Sequence, residues 1–156
     1  MELLEVKWTK NFKKLYQTKD SKWTGETDKI GEHIKLHWRN QNSRDENNAN
    51  EPGKGELIIL RQYGVITHIF RLIDDKFNTE LTDKDEFNIY RSVEVIWVTN
   101  DWNCPPSTSI FFASGVHFPA NGKVYQIEKL KAFKQRWGEG RLIEFQHYLQ
   151  QELEKY

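Results

Sequence analysis

The chain holds a single cysteine, Cys104, among its 156 residues. No disulfide can close within it, so the fold must rest on burial and hydrogen bonding, and a reducing compartment is the default expectation. Long hydrophobic runs are missing as well. No stretch approaches the roughly 18 apolar residues of a spanning helix, and the opening MELLEVKWTKNF lacks the basic region and apolar run of a signal peptide. The expectation is a cytoplasmic chain with no membrane partner. An excess of one charge is also absent: Lys plus Arg and Asp plus Glu are both 23, for a formal net charge of zero. No global positive field advertises nucleic acid, so a partner of that kind must be met by a local patch.

The motifs of catalysis and metal binding are equally sparse. There is no HExxH, CxxC, GxSxG or GxGxxG pattern and no Gly-rich phosphate loop. His33 and His37 fall on one face of an expected strand, about 13 Å apart, too far to share a zinc ion that would still need a third ligand. Cys104 has no base near it in sequence and is followed by Pro105 and Pro106, so nothing there lowers a thiol pKa. His68 sits within an apolar strand, as a hydrogen-bonded core or rim residue would. Asp74, Asp75, Asp83, Asp85 and Glu86 read as a solvated acidic face. A small enzyme built from Asp74, Asp75 and a histidine is the weakest of three readings. The chain is expected to be non-catalytic, with no metal and no cofactor.

What is present is aromatic. Residues of this class make up 13% of the chain, with six Trp and nine Phe, and large rings let a small core bury enough area. At 29% charged and 37% hydrophobic, with nine Gly and four Pro, the composition suits one folded unit spanning residues 1–156. Residues 40–55, NQNSRDENNANEPGKG, are polar and Asn-rich and are expected to form a mobile surface loop. Before them, residues 32–38 alternate, placing Ile34, Leu36 and Trp38 on one strand face. After them, Leu57 to Leu60 and Val65 to Leu72 predict two strands joined by a tight hairpin at Gln62, Tyr63 and Gly64, where Gly64 can take positive φ. Residues 78–86 read as a loop. Residues 91–98 predict another strand with Val93, Val95 and Trp97 on one face, and residues 109–113 a further short one. Asn121 and Gly122 signal a turn. Ile127, Leu130, Phe133 and Trp137 recur at helical spacing, Gly138 suits a C-terminal cap, and Leu142, Phe145, Leu149 and Leu153 mark a second helix. Residues 10–16 are weakly helical. The fold class is α+β: a small, mostly antiparallel β-barrel or curved sheet flanked by helices.

Basic residues gather at both ends. Lys7, Lys10, Lys13, Lys14, Lys19 and Lys22 lie in the first segment; Lys123, Lys129, Lys131, Lys134, Arg136 and Arg141 lie in the last. Packed side by side they would make a patch that holds phosphates without specifying bases. Aromatic residues at expected loop edges are the more specific signal. Trp38 ends a strand, Tyr63 sits in the hairpin turn, and Trp97 and Trp102 flank a bend at Asn100 and Asp101. An exposed ring at a strand end can stack on an unpaired base, worth about 1–3 kcal/mol.

Three stretches carry a resemblance. HIKLHWRNQNS looks like a strand ending in Trp ahead of a polar loop. GELIILRQYGVITHIFRLID looks like paired barrel strands around a Gly turn. RSVEVIWVTNDWNCPPSTS with ANGKVYQIEKLKAF looks like a later strand, its Pro-containing loop and the lead into a helix. In this order the segments, spanning much of residues 32–133, resemble the PUA-like superfamily, especially its EVE and YTH branches. The resemblance implies a β-barrel flanked by helices and an aromatic-lined pocket for a modified base flipped from nucleic acid. Carried over by position, Trp38 is one wall of that pocket. Where the YTH pattern has a second Trp this chain has Phe77, and where EVE domains show a Pro-Gly-Asp turn it has Gly53, Lys54, Gly55 and Glu56. The resulting expectation is a nucleic-acid binding module, for RNA or DNA, with Trp38, Phe77, Tyr63 and Trp102 holding a base and Arg39, Lys129, Lys131 and Lys134 on phosphates. It requires the Trp38 indole to be open to solvent beside a cavity. The alternative is a protein-interaction or accessory domain, suggested by zero net charge and the Asn-rich loop.

Overall fold

A computed structural model of the chain describes residues 2–12, 23–80 and 88–156. Seven strands form one curled, mixed sheet in the order β2-β6-β4-β3-β1-β7, with β5 paired to the outer stretch of β6. The strands are β1 (Val6–Asn11), β2 (His33–Trp38), β3 (Leu57–Gln62), β4 (Val65–Leu72), β5 (Asn78–Thr79), β6 (Ile89–Val98) and β7 (Val124–Gln126). All pairings are antiparallel except that of β1 with β3. The sheet curls into a half-barrel flanked by three helices, α1 (Ser43–Asn50), α2 (Lys131–Trp137) and α3 (Leu142–Leu153). No helix among the described residues is long and apolar enough to cross a membrane.

The sheet is buried on both faces, and this explains the continuous apolar run of β3. Alternate residues of such a strand feed two separate cores. Leu57 and Ile59 join a cluster with Phe111, Phe112, Ile127, Phe133, Phe145 and Leu149 beneath α2 and α3. Ile58 and Leu60 point into the half-barrel, with Trp38, Phe70, Val93, Val95 and Val124.

A β-bulge corrects the expected face of Trp97. Ile69 pairs with Trp97 but Phe70 pairs with Val95, so Ile96 is the extra residue on β6. One inserted residue flips all that follows to the other face. Val93 and Val95 therefore line the half-barrel, while Trp97 joins the helix-side core. A second bulge, where Leu60 pairs with His68 and Arg61 with Ile66, leaves Thr67 as the extra residue of β4.

Three further expectations are overturned. Residues 40–55 contain α1 rather than an open loop: the Asn42 side chain accepts from the Arg44 and Asp45 N–H groups, and Ala49 is fully buried. Asn-rich composition here supplies caps and clamps instead of disorder. The expected short strand at residues 109–113 is a 3-10 turn, Thr108–Ile110, capped by Ser107. It delivers the neighbouring Phe111 and Phe112 to the same core, which strand alternation could not do. Lys10 lies on β1, not on a helix; Val6, Trp8, Thr9 and Lys10 are all buried by β3 and β7 on either side, and tertiary pairing overrides weak helical preference. The remainder of that expected helix, residues 13–16, lies outside the described residues.

Candidate functional site

The hairpin turn between β3 and β4 builds the first wall of the site. Tyr63 (φ 49°) and Gly64 (φ 76°) both take positive φ, the two-residue turn whose twist matches the flanking strands. Asn or Gly is the usual occupant of the first position; a Tyr there carries backbone strain. Its ring is 56% exposed. The Trp23 and Tyr63 rings meet edge to face at 5.8 Å between centroids, and the Trp102 ring lies 6.2 Å from that of Trp23. Trp23 also donates its indole N–H to the Trp102 carbonyl at 2.8 Å, fixing two distant segments together.

The floor beneath these rings is a polar network with a determined direction. Gln62 Nε2 donates to the Thr67 hydroxyl at 2.8 Å and to the Thr24 carbonyl at 2.9 Å, while its Oε1 accepts from the Thr24 N–H at 2.9 Å. The Thr67 hydroxyl lies 2.9 Å from His68 Nδ1. His68 Nε2 faces two acceptors, the Gly25 carbonyl and Asp28 Oδ2, both at 3.2 Å. A ring nitrogen between two acceptors carries the proton, so Nδ1 accepts from Thr67. The His68 ring stacks on Phe70 at 5.1 Å and tilts against Trp102 at 5.6 Å. A Cβ on Gly25 would lie 2.6 Å from Asp28 Oδ2 and 2.7 Å from His68 Cε1, so only glycine permits this approach.

The order hydroxyl, imidazole, carboxylate is the order of a nucleophilic triad. Here Thr67 and His68 are both fully buried, so no substrate reaches the hydroxyl. Asp74 is likewise spoken for: its side chain accepts from Arg91 Nε at 2.5 Å and from the Ser92 N–H at 2.7 Å. Asp75 is exposed; Asp83, Asp85 and Glu86 lie outside the described residues. No group of three or more His, Cys, Asp or Glu among the described residues could hold a metal ion. His33 is exposed, and His37 bonds Glu80, which Lys35 also contacts at 2.6 Å. The bonds from Lys35 and His37 hold the Glu80 carboxyl below its usual range.

The expected base-binding residues separate into two groups. Trp38 is 1% exposed and belongs to the half-barrel interior, its indole N–H donating to Asn48 Oδ1 at 3.0 Å. It cannot wall an open pocket. The reason is the edge position of β2: with α1 laid across it, the ring is covered on the side where a mobile loop would have left it open. Phe77 is half-buried and packs against that same interior, not against Tyr63 or Trp102. Tyr63 and Trp102, by contrast, are brought together through Trp23. Trp23 was missed because it stands in a polar stretch without strand or helix pattern; the signal available was a large ring followed at once by Thr24 and Gly25.

The expected phosphate contacts are all exposed. Arg39 follows β2, and Lys129, Lys131 and Lys134 follow β7, the first and last strands of the sheet order. Lys134 approaches Glu139 at 3.6 Å. Of the N-terminal lysines, Lys7 bonds Glu56 at 2.9 Å and Lys10 is buried, so neither is a free surface cation. Lys13, Lys14, Lys19 and Lys22 lie outside the described residues. Cys104 is exposed, two residues beyond Trp102.

The class these features define is an α+β half-barrel with a strained aromatic corner on a rigid polar floor. No known protein family, curated protein or solved structure matches the chain.

Proposed function

We propose that this chain is a non-catalytic module that binds single-stranded nucleic acid by stacking unpaired bases at Trp23, Tyr63 and Trp102. The observation that carries the reading is Tyr63, held in a backbone conformation that disfavours it and 56% exposed beside the Trp23 ring, which in turn meets Trp102. Strain retained at an exposed aromatic is a mark of use, because a relaxed residue would serve the turn better. Stacking on such a platform tolerates any base. The absence of a reachable nucleophile among the groups of the polar floor supports a binding role over a catalytic one. The resemblance to PUA-like domains favours the same partner, with a modified base as one candidate ligand, although the pocket wall moves from Trp38 to the hairpin corner. The competing protein-interaction reading loses one of its two motives, since the Asn-rich stretch is a packed helix.

The test is a titration of fluorescein-labelled single-stranded oligonucleotides, RNA and DNA, at low salt. Binding is expected to quench intrinsic Trp fluorescence, and Tyr63→Ala is expected to weaken it roughly tenfold, in line with about 1–3 kcal/mol for a stacked base. An unchanged Tyr63→Ala isotherm, or no binding to any oligonucleotide, would reject the proposal. Trp38→Phe serves as the control and is expected to leave affinity intact.

A further inference from the structure

We propose that Asp28 is the specificity-determining residue of this site and makes it prefer guanine in single-stranded nucleic acid. The inference rests on the stacking reading and adds to it a direction. Rings alone cannot choose between bases, because every base has a π-face. Choice requires a hydrogen-bonding group fixed beside the rings with capacity to spare. Asp28 has that position. Its Oδ2 lies 3.2 Å from His68 Nε2, the same imidazole lies 5.6 Å from the Trp102 ring, and the Asp28 N–H closes a turn onto Gly25, two residues from Trp23. The carboxylate is therefore one side chain away from one wall of the aromatic corner and on the same short segment as another.

It also has the capacity. Two carboxylate oxygens offer about four acceptor sites. Among the described residues the Asp28 carboxylate has one close basic neighbour, His68 Nε2 at 3.2 Å, whose N–H goes to the Gly25 carbonyl. Its side chain keeps 18% of its surface in solvent, so it is reachable yet oriented. Most buried polar groups nearby are committed: Gln62, Thr67 and His68 all bond within the network. Since Nε2–H donates to the Gly25 carbonyl beside Asp28 and the ring is fully buried, the imidazole presents no donor outward, and the floor shows a ligand only acceptors at this point. A carboxylate accepts and never donates when ionised. Guanine is the base whose pairing edge offers two adjacent donors, N1–H and the N2 amino group, spaced to meet two carboxylate oxygens. Adenine and cytosine offer one amino group flanked by an acceptor, and thymine and uracil offer one N–H flanked by two carbonyls. Those acceptors would face a carboxylate and be repelled. A bidentate contact of this type discriminates by about 1–3 kcal/mol, which is roughly fivefold to a hundredfold in affinity.

The experiment uses the full chain and thymidine oligonucleotides carrying one central guanine, adenine or cytosine, read by anisotropy. The guanine oligonucleotide is expected to bind at least about fivefold more tightly than the others. Replacing that guanine with inosine, which lacks the N2 amino group, is expected to lose most of the preference on the unmodified protein. Asp28→Asn is expected to abolish the ranking, while Tyr63→Ala weakens all oligonucleotides alike. Equal affinity for every base, or a guanine preference that survives both inosine and Asp28→Asn, overturns this inference and leaves the stacking reading standing. Failure to bind any oligonucleotide overturns both. The inosine comparison keeps the test decisive if Asp28→Asn loosens the segment that His68 tethers.

Discussion

Single residues close this half-barrel where backbone pairing does not. The Asn48 side chain imitates a strand residue: its Oδ1 accepts from the Val124 N–H at 2.8 Å and its Nδ2 donates to the Val124 carbonyl at 2.9 Å. The same Oδ1 takes the Trp38 indole N–H. One amide thus ties β7 to β2, the two ends of the strand order. Asn48→Ala is expected to cost about 2–4 kcal/mol in urea unfolding, because two backbone groups and an indole lose their partner at once. Asn48→Asp keeps the acceptors but loses the donor, and should recover only part of that stability. Arg91 does similar work on the far side of α1. It is fully buried and donates to Asp74, to the Asp74 carbonyl at 2.7 Å, and to the Ala49 and Pro52 carbonyls at 2.9 and 2.7 Å. Its charge is answered by a carboxylate and its planar fork is filled.

Lys10 is the contrasting case. It is buried over the Trp38 ring, 4.8 Å from the centroid, and donates to the Gly122 carbonyl, with no carboxylate paired to it among the described residues. Burial, reinforced by the Arg61 charge, lowers its pKa from 10.5 to about 7. The folded state therefore releases this proton near neutrality while the unfolded chain keeps it to about 10.5. Between those values the unfolded state binds more protons, so stability rises with pH. Below about 7 both states are protonated and the penalty is constant. Unfolding followed from pH 6 to pH 10 is expected to show the wild-type protein gaining on Lys10→Met by up to a few kcal/mol. Parallel pH profiles for the two proteins would contradict the assignment.

At the scale of elements, the hairpin sets stability against use. Tyr63→Asn gives the turn its preferred residue and is expected to raise stability by about 1 kcal/mol in thermal unfolding while oligonucleotide affinity falls. A variant that binds as before would show the strain to have no link to the ligand. The hairpin, β2 and the C-terminal helices were legible because periodicity and turn chemistry act locally: His33–Trp38 alternates, Tyr63-Gly64 suits a primed turn, and the stripe from Leu142 to Leu153 needs only its own helix. Helix α1 was not legible, because it packs through Ala49 and through side-chain amides and carries no apolar stripe. Nor were the bulges at Thr67 and Ile96, which depend on register between strands far apart in sequence. Of the candidate site, Tyr63 and Trp102 could be read from their places at a turn and a loop. Trp38 misled, since the same strand-end position is open or closed according to what covers it, and the cover was the helix that composition concealed.

At the scale of the molecule, charge balance decides how binding responds to salt. The chain has no net charge, and some of its cations are engaged by carboxylates: Lys7 with Glu56, Lys35 with Glu80, Arg141 with Glu144, Lys155 with Glu152. Glu56, which burial alone would raise, is held below its usual pKa by the Gly53 N–H, Lys7 and the Trp8 indole. A surface of balanced charge with part of its cations paired neutralises few phosphates. For single strands the slope of log K against log salt is about −0.7 for each phosphate contacted. A ligand held mainly by stacking and one carboxylate should therefore show a slope no steeper than about −2, equivalent to roughly three phosphates. Lys129→Ala and Lys131→Ala should flatten it further while leaving the order of base preference intact, because phosphate contacts position a strand and base contacts choose it. A steep slope, with base ranking erased by removing those lysines, would place the binding energy on the basic helix face and away from the aromatic corner.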